Sequence, residues 1–190
     1  MTDAAIVLSG GSSRRMGGAT PKPLLRLKGR PLLRRVLDAL PPGTPTVIVG
    51  GAGEHGDLPD TVTVLAENPP ASGPAYALKA GLAGIPAAAT HVWVLAADLP
   101  LLTPQATTAL REAVGDTDGA LYADDRPQWL CGCWRVGALT SAARHITPGA
   151  PLRTLLGPLR RNELRWSSPG PPPYFDCDTP EALAEAETWL

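Results

Sequence analysis

Three short apolar runs, Ala4–Leu8, Thr46–Val49 and His91–Ala97, each give way within two residues to glycine or aspartate. Runs of that kind read as strands buried on both faces, and helical spacing separates them. Strands that alternate with helices across short connections form a parallel sheet, because each crossover must return over one face and cover it. The expected architecture is therefore an α/β fold, a three-layer α/β/α sandwich around a mostly parallel Rossmann-like sheet.

The other elements follow from local signals. Pro31–Leu40 predicts a helix with proline in its first turn and Leu32, Leu33, Val36, Leu37 and Leu40 on one face. Val62–Ala66 reads as a third strand, and Gly73-Pro74 opens a helix over Ala75–Leu82. The run ending at Asp98 is the strongest central strand. Beyond it the pattern is less regular, with strands expected at Gly119–Ala123, Gln128–Arg135 and Leu164–Trp166 and a helix at Gly137–Ile146. Ser167–Pro173 is a stiff proline-rich loop, too close to the end to be a linker to a second core. Thr179-Pro180 caps a last helix that reaches Trp189. Residues 1–190 are expected to form a single domain.

The first strand matters most for function. Gly10-Gly11 lets the chain turn sharply and bring bare N–H groups against an anion, and Arg14, Arg15 and Lys22 add positive charge directly behind it. A strand followed by glycines sits at the carboxyl edge of a parallel sheet, where open α/β proteins bind ligands. Gly-Gly-Ser-Ser is also ordinary surface-turn composition, and it is the position that favours a phosphate grip. The patterns GxxxxGK[ST] and GxGxxG are both absent, so this loop belongs to neither of the two commonest phosphate-binding classes.

Charge supports a local rather than a global anion site. With 17 basic and 18 acidic residues the net charge is −1, which gives no general attraction to nucleic acid or to an anionic membrane. No apolar run approaches a membrane span, and Cys131, Cys133 and Cys177 are too few and odd in number for a disulfide framework. A cytoplasmic protein is expected. Cys131-Gly132-Cys133 lacks a second ligand pair at metal spacing and reads as buried strand. His55, His91 and His145 are dispersed, without a partner serine or cysteine in a recognisable motif, and read as surface or structural.

Asp98 leaves the sheet at its carboxyl edge. An acid there serves as a turn cap or, beside a phosphate loop, as a ligand for Mg²⁺, which takes one or two carboxylates together with phosphates and water. In the segment Phe175-Asp176-Cys177-Asp178-Thr179-Pro180-Glu181, residues two apart share a side, so Asp176 and Asp178 face one way and Cys177 turns inward. Glu67, at the end of the third strand, is either an ordinary exposed glutamate or an acceptor for the two N–H donors on the edge of guanine.

Residues 8–25 resemble the signature L-x-G-G-x-S-x-R-M-G-x-D-K of the molybdenum cofactor guanylyltransferases, through Leu8, Gly10, Gly11, Ser13 or its neighbour Ser12, Arg15, Met16, Gly17 and Lys22. Pro21 stands where that family has aspartate, with about one extra residue before the lysine, and a proline-lysine pair looks more like the sugar-nucleotide pyrophosphorylases of the same superfamily. Gly50 stands where the resemblance leads one to expect asparagine. Ala96-Ala97-Asp98-Leu99-Pro100 and the Asp176–Glu181 run also match the family's acidic segments.

The resemblance implies transfer of GMP from GTP to the phosphate of molybdopterin, with pyrophosphate released. It implies Arg15, Lys22 and Asp98 as catalytic residues and Asp98 with Asp176 as the Mg²⁺ ligands, Asp178 supporting. The nucleotide would lie on Leu8, Ser9, Gly10, Gly11, Ser12, Arg15 and Lys22, with Glu67, Gly73 and Asp98 arriving from later segments. Cytidylyl transfer and transfer to a sugar phosphate are the nearest alternatives. A catalytically silent nucleotide-binding regulator is the reading from another class, separated from an enzyme by the absence of pyrophosphate release.

Overall fold

The computed structural model describes residues 2–10, 21–50, 55 and 57–190. In chain order, β1 (Thr2–Leu8) is followed by a 3-10 turn at Lys22–Leu24 and a small hairpin of β2 (Arg26–Leu27) and β3 (Arg30–Pro31), then α1 (Leu32–Asp38) and β4 (Thr46–Val49). Next come β5 (Val62–Leu65), α2 (Pro74–Gly84), β6 (Ala89–Ala96), α3 (Pro104–Ala113), β7 (Gly119–Ala123) and β8 (Pro127–Arg135). The chain closes with α4 (Val136–Ala143), α5 (Leu152–Leu156), β9 (Arg161–Leu164) and α6 (Pro180–Thr188).

Seven strands form one sheet in the order β5-β4-β1-β6-β8-β7-β9. β1 pairs in parallel with β4 and β6, β4 with β5, and β7 with β9. Only β8 runs the other way, antiparallel to both β6 and β7. The strand period divides β1 cleanly between two cores. Ala4, Ile6 and Leu8 face one with Leu78, Leu139 and Leu155, while Ala5 and Val7 face the other with Val36, Leu110 and Trp93. Helices α2, α4 and α5 thus cover one face and α1 and α3 the opposite one, the expected three layers. Ile6, Ile48, Leu78 and Leu110 are fully enclosed, and each such side chain contributes about 1.5–3 kcal/mol relative to exposure. A third, smaller cluster of Leu27, Leu32, Leu101, Cys177 and Ala186 docks α6 onto the β2–β3 hairpin.

Several boundaries differ from the sequence reading. Pro31 is not in the first turn of α1 but ends β3 as the helix N-cap, with Arg26 paired opposite it. The last strand lies at Arg161–Leu164 rather than Leu164–Trp166. It is an edge strand whose Asn162 and Glu163 face solvent, so polar residues carry it, and Trp166 beyond it packs edge-on to Tyr122. Helix α4 stops at Ala143, because the chain tightens into a turn in which Arg144 N–H donates to the Ser141 carbonyl. Helix α3, opened by Thr103 accepting from Ala106 N–H with Pro104 in the first turn, is absent from the sequence reading. Cys131, Cys133 and Cys177 are buried and unpaired with each other, and burial pushes the Cys133 thiol up to about 12. His91 is buried against Asp3 and Thr90, a structural role.

Candidate active site

The carboxyl ends of β5, β4, β1 and β6 are held level by a continuing backbone ladder. Gly50 N–H donates to Leu65 O (3.0 Å), Ser9 N–H to Val49 O (2.8 Å) and Ala97 N–H to Leu8 O (3.1 Å). This ladder brings Ser9, Gly10, Gly50, Glu67 and Asp98 to one edge. Gly50 has φ +105°, and a Cβ there would stand 2.8 Å from the Gly10 nitrogen. Glycine is required on both counts, strain and space, which accounts for its presence where asparagine was expected. A Cβ on Gly10 would lie 2.7 Å from Glu67 Oε1. The half-buried Glu67 carboxylate therefore hangs directly over the first glycine of the loop.

Leu8 and Ser9 are buried beneath this edge. Gly73, with φ +87°, opens α2 at the same edge and rests against Gly149 and Ala150, while Ser72 O accepts from Gly149 N–H at 2.7 Å. Gly11, Ser12 and Arg15 lie outside the described residues, as do Ser13, Met16 and Gly17.

Lys22 is the hub. Its ammonium pairs with both Asp98 and Asp178, residues 76 and 156 positions away. The Lys22 side chain is only 15% exposed and that of Asp98 19%. Burial alone would lower the Lys22 pKa, but the Asp98 charge and the hydrogen bonds to Asp178 and Asp98 outweigh it and hold the ammonium above its usual range. The second acidic segment is tied to the first by Cys177 N–H donating to the Asp98 carbonyl at 3.2 Å. Cys177 is fully buried and both flanking aspartates are exposed, the alternation read from the sequence. Asp176 does not pair with Lys22. Desolvation, then the charges of Asp178 and Asp98, raise its carboxyl above the ordinary aspartate value.

Asp98 and Asp178 thus share one ammonium, which shows that a cation fits between them, and Asp176 adds a third negative charge beside the pair. Among the described residues, no group of three or more His, Cys, Asp or Glu side chains could hold a metal ion unaided. A hard divalent cation held by carboxylates here would draw the rest of its shell from phosphate oxygens and water. The donor set is all oxygen and carries excess negative charge, so it fits Mg²⁺.

Sequence reasoning missed the far wall of the site. A cleft of about 510 Å³ extends from Asp98, Asp176 and Asp178 to Gln128, Trp129 and Tyr174. It exists because β8 is reversed: Cys131 pairs with Leu95 near the end of β6, so Pro127–Leu130 continue past that edge. The signal was the Asp124-Asp125-Arg126 turn between two strands, which predicts a hairpin but not which end of the sheet it overhangs.

With this geometry in place, comparison with known proteins is specific. A family model described as a MobA-like NTP transferase domain matches residues 5–164. A molybdenum cofactor guanylyltransferase of Bradyrhizobium sp. is 31% identical over 193 residues, covering 96% of this chain and 90% of the relative. One of Vibrio cholerae is 27% identical over 183 residues, covering 95% and 89%. Among solved structures, a nucleotidyl transferase from Methanothermobacter thermautotroptrophicus superposes with a TM-score of 0.76 at 17% identity, covering 98% and 96% of the two chains. Molybdopterin-guanine dinucleotide biosynthesis protein A from Archaeoglobus fulgidus gives 0.67 at 18% identity, covering 97% of each. At such identities the structural likeness carries the fold alone.

Proposed function

The chain belongs to the MobA-like NTP transferase family, and from that premise we propose that it transfers GMP from GTP to the terminal phosphate of molybdopterin, releasing pyrophosphate. The observation that carries this reading is the Lys22–Asp98–Asp178 cluster at the boundary between the glycine edge and the cleft. A nucleotide on β1, β4 and β5 would present its α-phosphate there, and an acceptor entering the cleft would meet it from the other side. The names of the relatives that match nearly end to end support guanine as the base and molybdopterin as the acceptor.

The acceptor phosphate is already an anionic nucleophile, so no strong general base is needed and catalysis rests on alignment and charge neutralisation. Gly10 and Gly11 N–H groups hold the phosphate oxygens. Arg15 and Lys22 neutralise the triphosphate and the departing pyrophosphate. Glu67, placed over Gly10, accepts from the guanine edge. Asp98 and Asp176 would hold Mg²⁺, which would supply positive charge against the phosphate oxygens as the transfer proceeds. Asp178 braces Lys22. We read the 190 residues as one domain working in the cytoplasm; no helix among the described residues is long and apolar enough to cross a membrane.

The test is pyrophosphate release from GTP and molybdopterin with Mg²⁺, with the four NTPs in competition. GTP-selective release that requires the acceptor is expected. Release with CTP instead, or with a sugar phosphate as acceptor, would replace the guanylyl reading. Tight nucleotide binding with no release would leave a regulator.

A further inference from the structure

A second cavity, of about 460 Å³, opens between α1, the proline-rich loop and the turn that follows α6. Its buried lining includes Leu101 and Leu102 of the segment that leaves Asp98, and it shares no lining residue with the cleft beside the acidic cluster. One wall is stiff. Pro169 and Pro171 have a fixed φ, and Trp166 is held by Nε1 donating to Gly170 O at 3.4 Å and by its edge-on contact with Tyr122. Trp189 and Leu190, which also line the cavity, are 51% and 48% exposed, and among the described residues only Val64 is a comparably exposed large apolar side chain. A concave patch of open tryptophan and stiff proline is the kind of surface that partners use as an anchor pocket.

The charge beside it is one-sided. Residues 4–37 contain no Asp or Glu, whereas Arg26, Lys28, Arg30, Arg34 and Arg35 follow one another over the β2–β3 hairpin and α1. Arg30 and Arg35 line the cavity, and among the described residues Asp38 is the only acidic side chain that does. Asp38 already pairs with Arg30 and Arg34. Arg35 donates through Nη2 to Leu27 O at 2.8 Å, and its buried Nε has no partner. Burial, then the Arg30 charge, hold the Arg35 pKa below its ordinary value against the pull of Asp38, so one more carboxylate is what this corner lacks. With a net charge of −1 over the whole chain, the excess is local. It is a guanidinium pair beside an apolar hollow, not a basic stripe that tracks a phosphate backbone.

We propose that this groove docks an acidic segment of a partner protein: a bulky apolar side chain enters the hollow beside Trp189, and carboxylates flanking it pair with Arg35 and Arg30. A planar guanidinium takes a carboxylate through two parallel N–H donors, which sets the register of the segment. The stiff prolines and the braced Trp166 lower the ordering cost on this side. Because the two linings are separate, the partner rests against the segment that carries Asp98 while the cleft stays open.

The experiment is fluorescence anisotropy of the labelled peptide EEWLEE against the full chain, with EESSEE and QQWLQQ as controls. Saturable binding of EEWLEE is expected, with each control about tenfold or more weaker, because each lacks one half of the recognition. Trp189→Ser and Arg30→Glu are each expected to weaken EEWLEE about tenfold, and Arg35→Gln about fivefold. Melting temperatures of the first two change little, since both side chains stand well out in solvent. Raising NaCl from about 0.05 M to about 0.5 M weakens the peptide several-fold. Arg35→Gln also removes the bond to Leu27 O, so the two exposed variants decide the outcome if it does not fold. No saturable binding of EEWLEE, or binding that Trp189→Ser and Arg30→Glu leave unchanged, overturns the proposal. An oligothymidylate of about ten nucleotides that displaces the peptide at lower concentration also overturns it, and makes the surface a nucleic-acid site. So does a wild-type dimer, seen by sedimentation, that excludes the peptide and is lost in Trp189→Ser, which gives the groove to a second copy of the chain.

Discussion

Lys22 answers to two carboxylates, so its loss would do more than delete the proposed phosphate contact. Its position after the glycine loop makes it readable from the sequence as a candidate phosphate ligand, whereas its partner Asp178, 156 residues on, reads only as an acid supporting Asp176 before a helix start, with nothing to join it to Lys22. In Lys22→Ala, Asp98 and Asp178 lose the cation between them, and the charge of Asp176 beside them is left unbalanced. The expected result is a loss of about 2–4 kcal/mol of transition-state stabilisation, together with a melting temperature that rises on adding Mg²⁺ more steeply than that of the wild type. Wild-type rates of pyrophosphate release in the folded variant would remove Lys22 from the chemistry. Glu67, read from the sequence as either surface or base-selecting, stands over Gly10. Glu67→Gln replaces one acceptor oxygen by a donor and is expected to erode the preference for GTP over ATP by about 1–3 kcal/mol; an unchanged ratio in a competition assay returns it to the surface. His91 tests the opposite end of the sheet. Burial, then the nearby Arg111 charge, lower its pKa below 6.5 against the pull of Asp3. The unfolded chain therefore binds this proton first, and stability is full above about pH 6.5 and falls as pH drops toward the folded value. Urea titrations of His91→Gln are expected to show a flatter dependence in that window than the wild type.

At the scale of elements, what the sequence disclosed was whatever local signals dictate. Apolar runs gave the buried strands, and Thr179-Pro180 gave the start of α6, where Thr179 Oγ1 accepts from Ala182 N–H at 3.2 Å. What it withheld depends on pairing. β9 is made of Arg161, Asn162, Glu163 and Leu164 because an edge strand needs only β7 beside it, and its register, Gly119 opposite Arg161, cannot be read from composition. The reversal of β8 is likewise a property of the hairpin's neighbours, and it decides which end of the sheet acquires a cleft. The cap of α6 has a consequence for the site, since Thr179 fixes the helix whose preceding residues carry Asp176 and Asp178. Thr179→Ala is expected to cost about 1 kcal/mol in stability and to raise the Mg²⁺ concentration for half-maximal turnover, whereas Thr179→Ser keeps both. A stability loss with an unchanged Mg²⁺ requirement would confine the cap to a structural role.

Across the whole molecule, the proposed reacting centre is assembled from the first, middle and last parts of the chain: Lys22, Asp98 and the Asp176–Asp178 segment. The glycine edge was legible because strand, turn and cation are contiguous in sequence. The union of the acids was visible only by family resemblance, because nothing local says that α6 returns to the end of β6; the docking of Cys177 and Ala186 against Leu27 and Leu101 accomplishes it. A site held by two distant segments fails when either is lost, and this gives the Mg²⁺ assignment its sharpest test. Asp98→Asn and Asp176→Asn are each expected to abolish most metal-dependent turnover while leaving the fold intact. The double variant is expected to be scarcely worse than the worse single, since a half-dismantled metal site has already failed. The raised Asp176 pKa sharpens the contrast, because a carboxylate destabilised by desolvation and then by the charges of Asp178 and Asp98 in the free protein gains most from a cation. Mg²⁺ titrations of activity for the two singles and the pair decide the matter. If the two losses multiply and Asp176→Asn leaves the Mg²⁺ requirement where it was, Asp176 is no ligand. Asp178, released from Lys22 once the nucleotide binds, then takes its place.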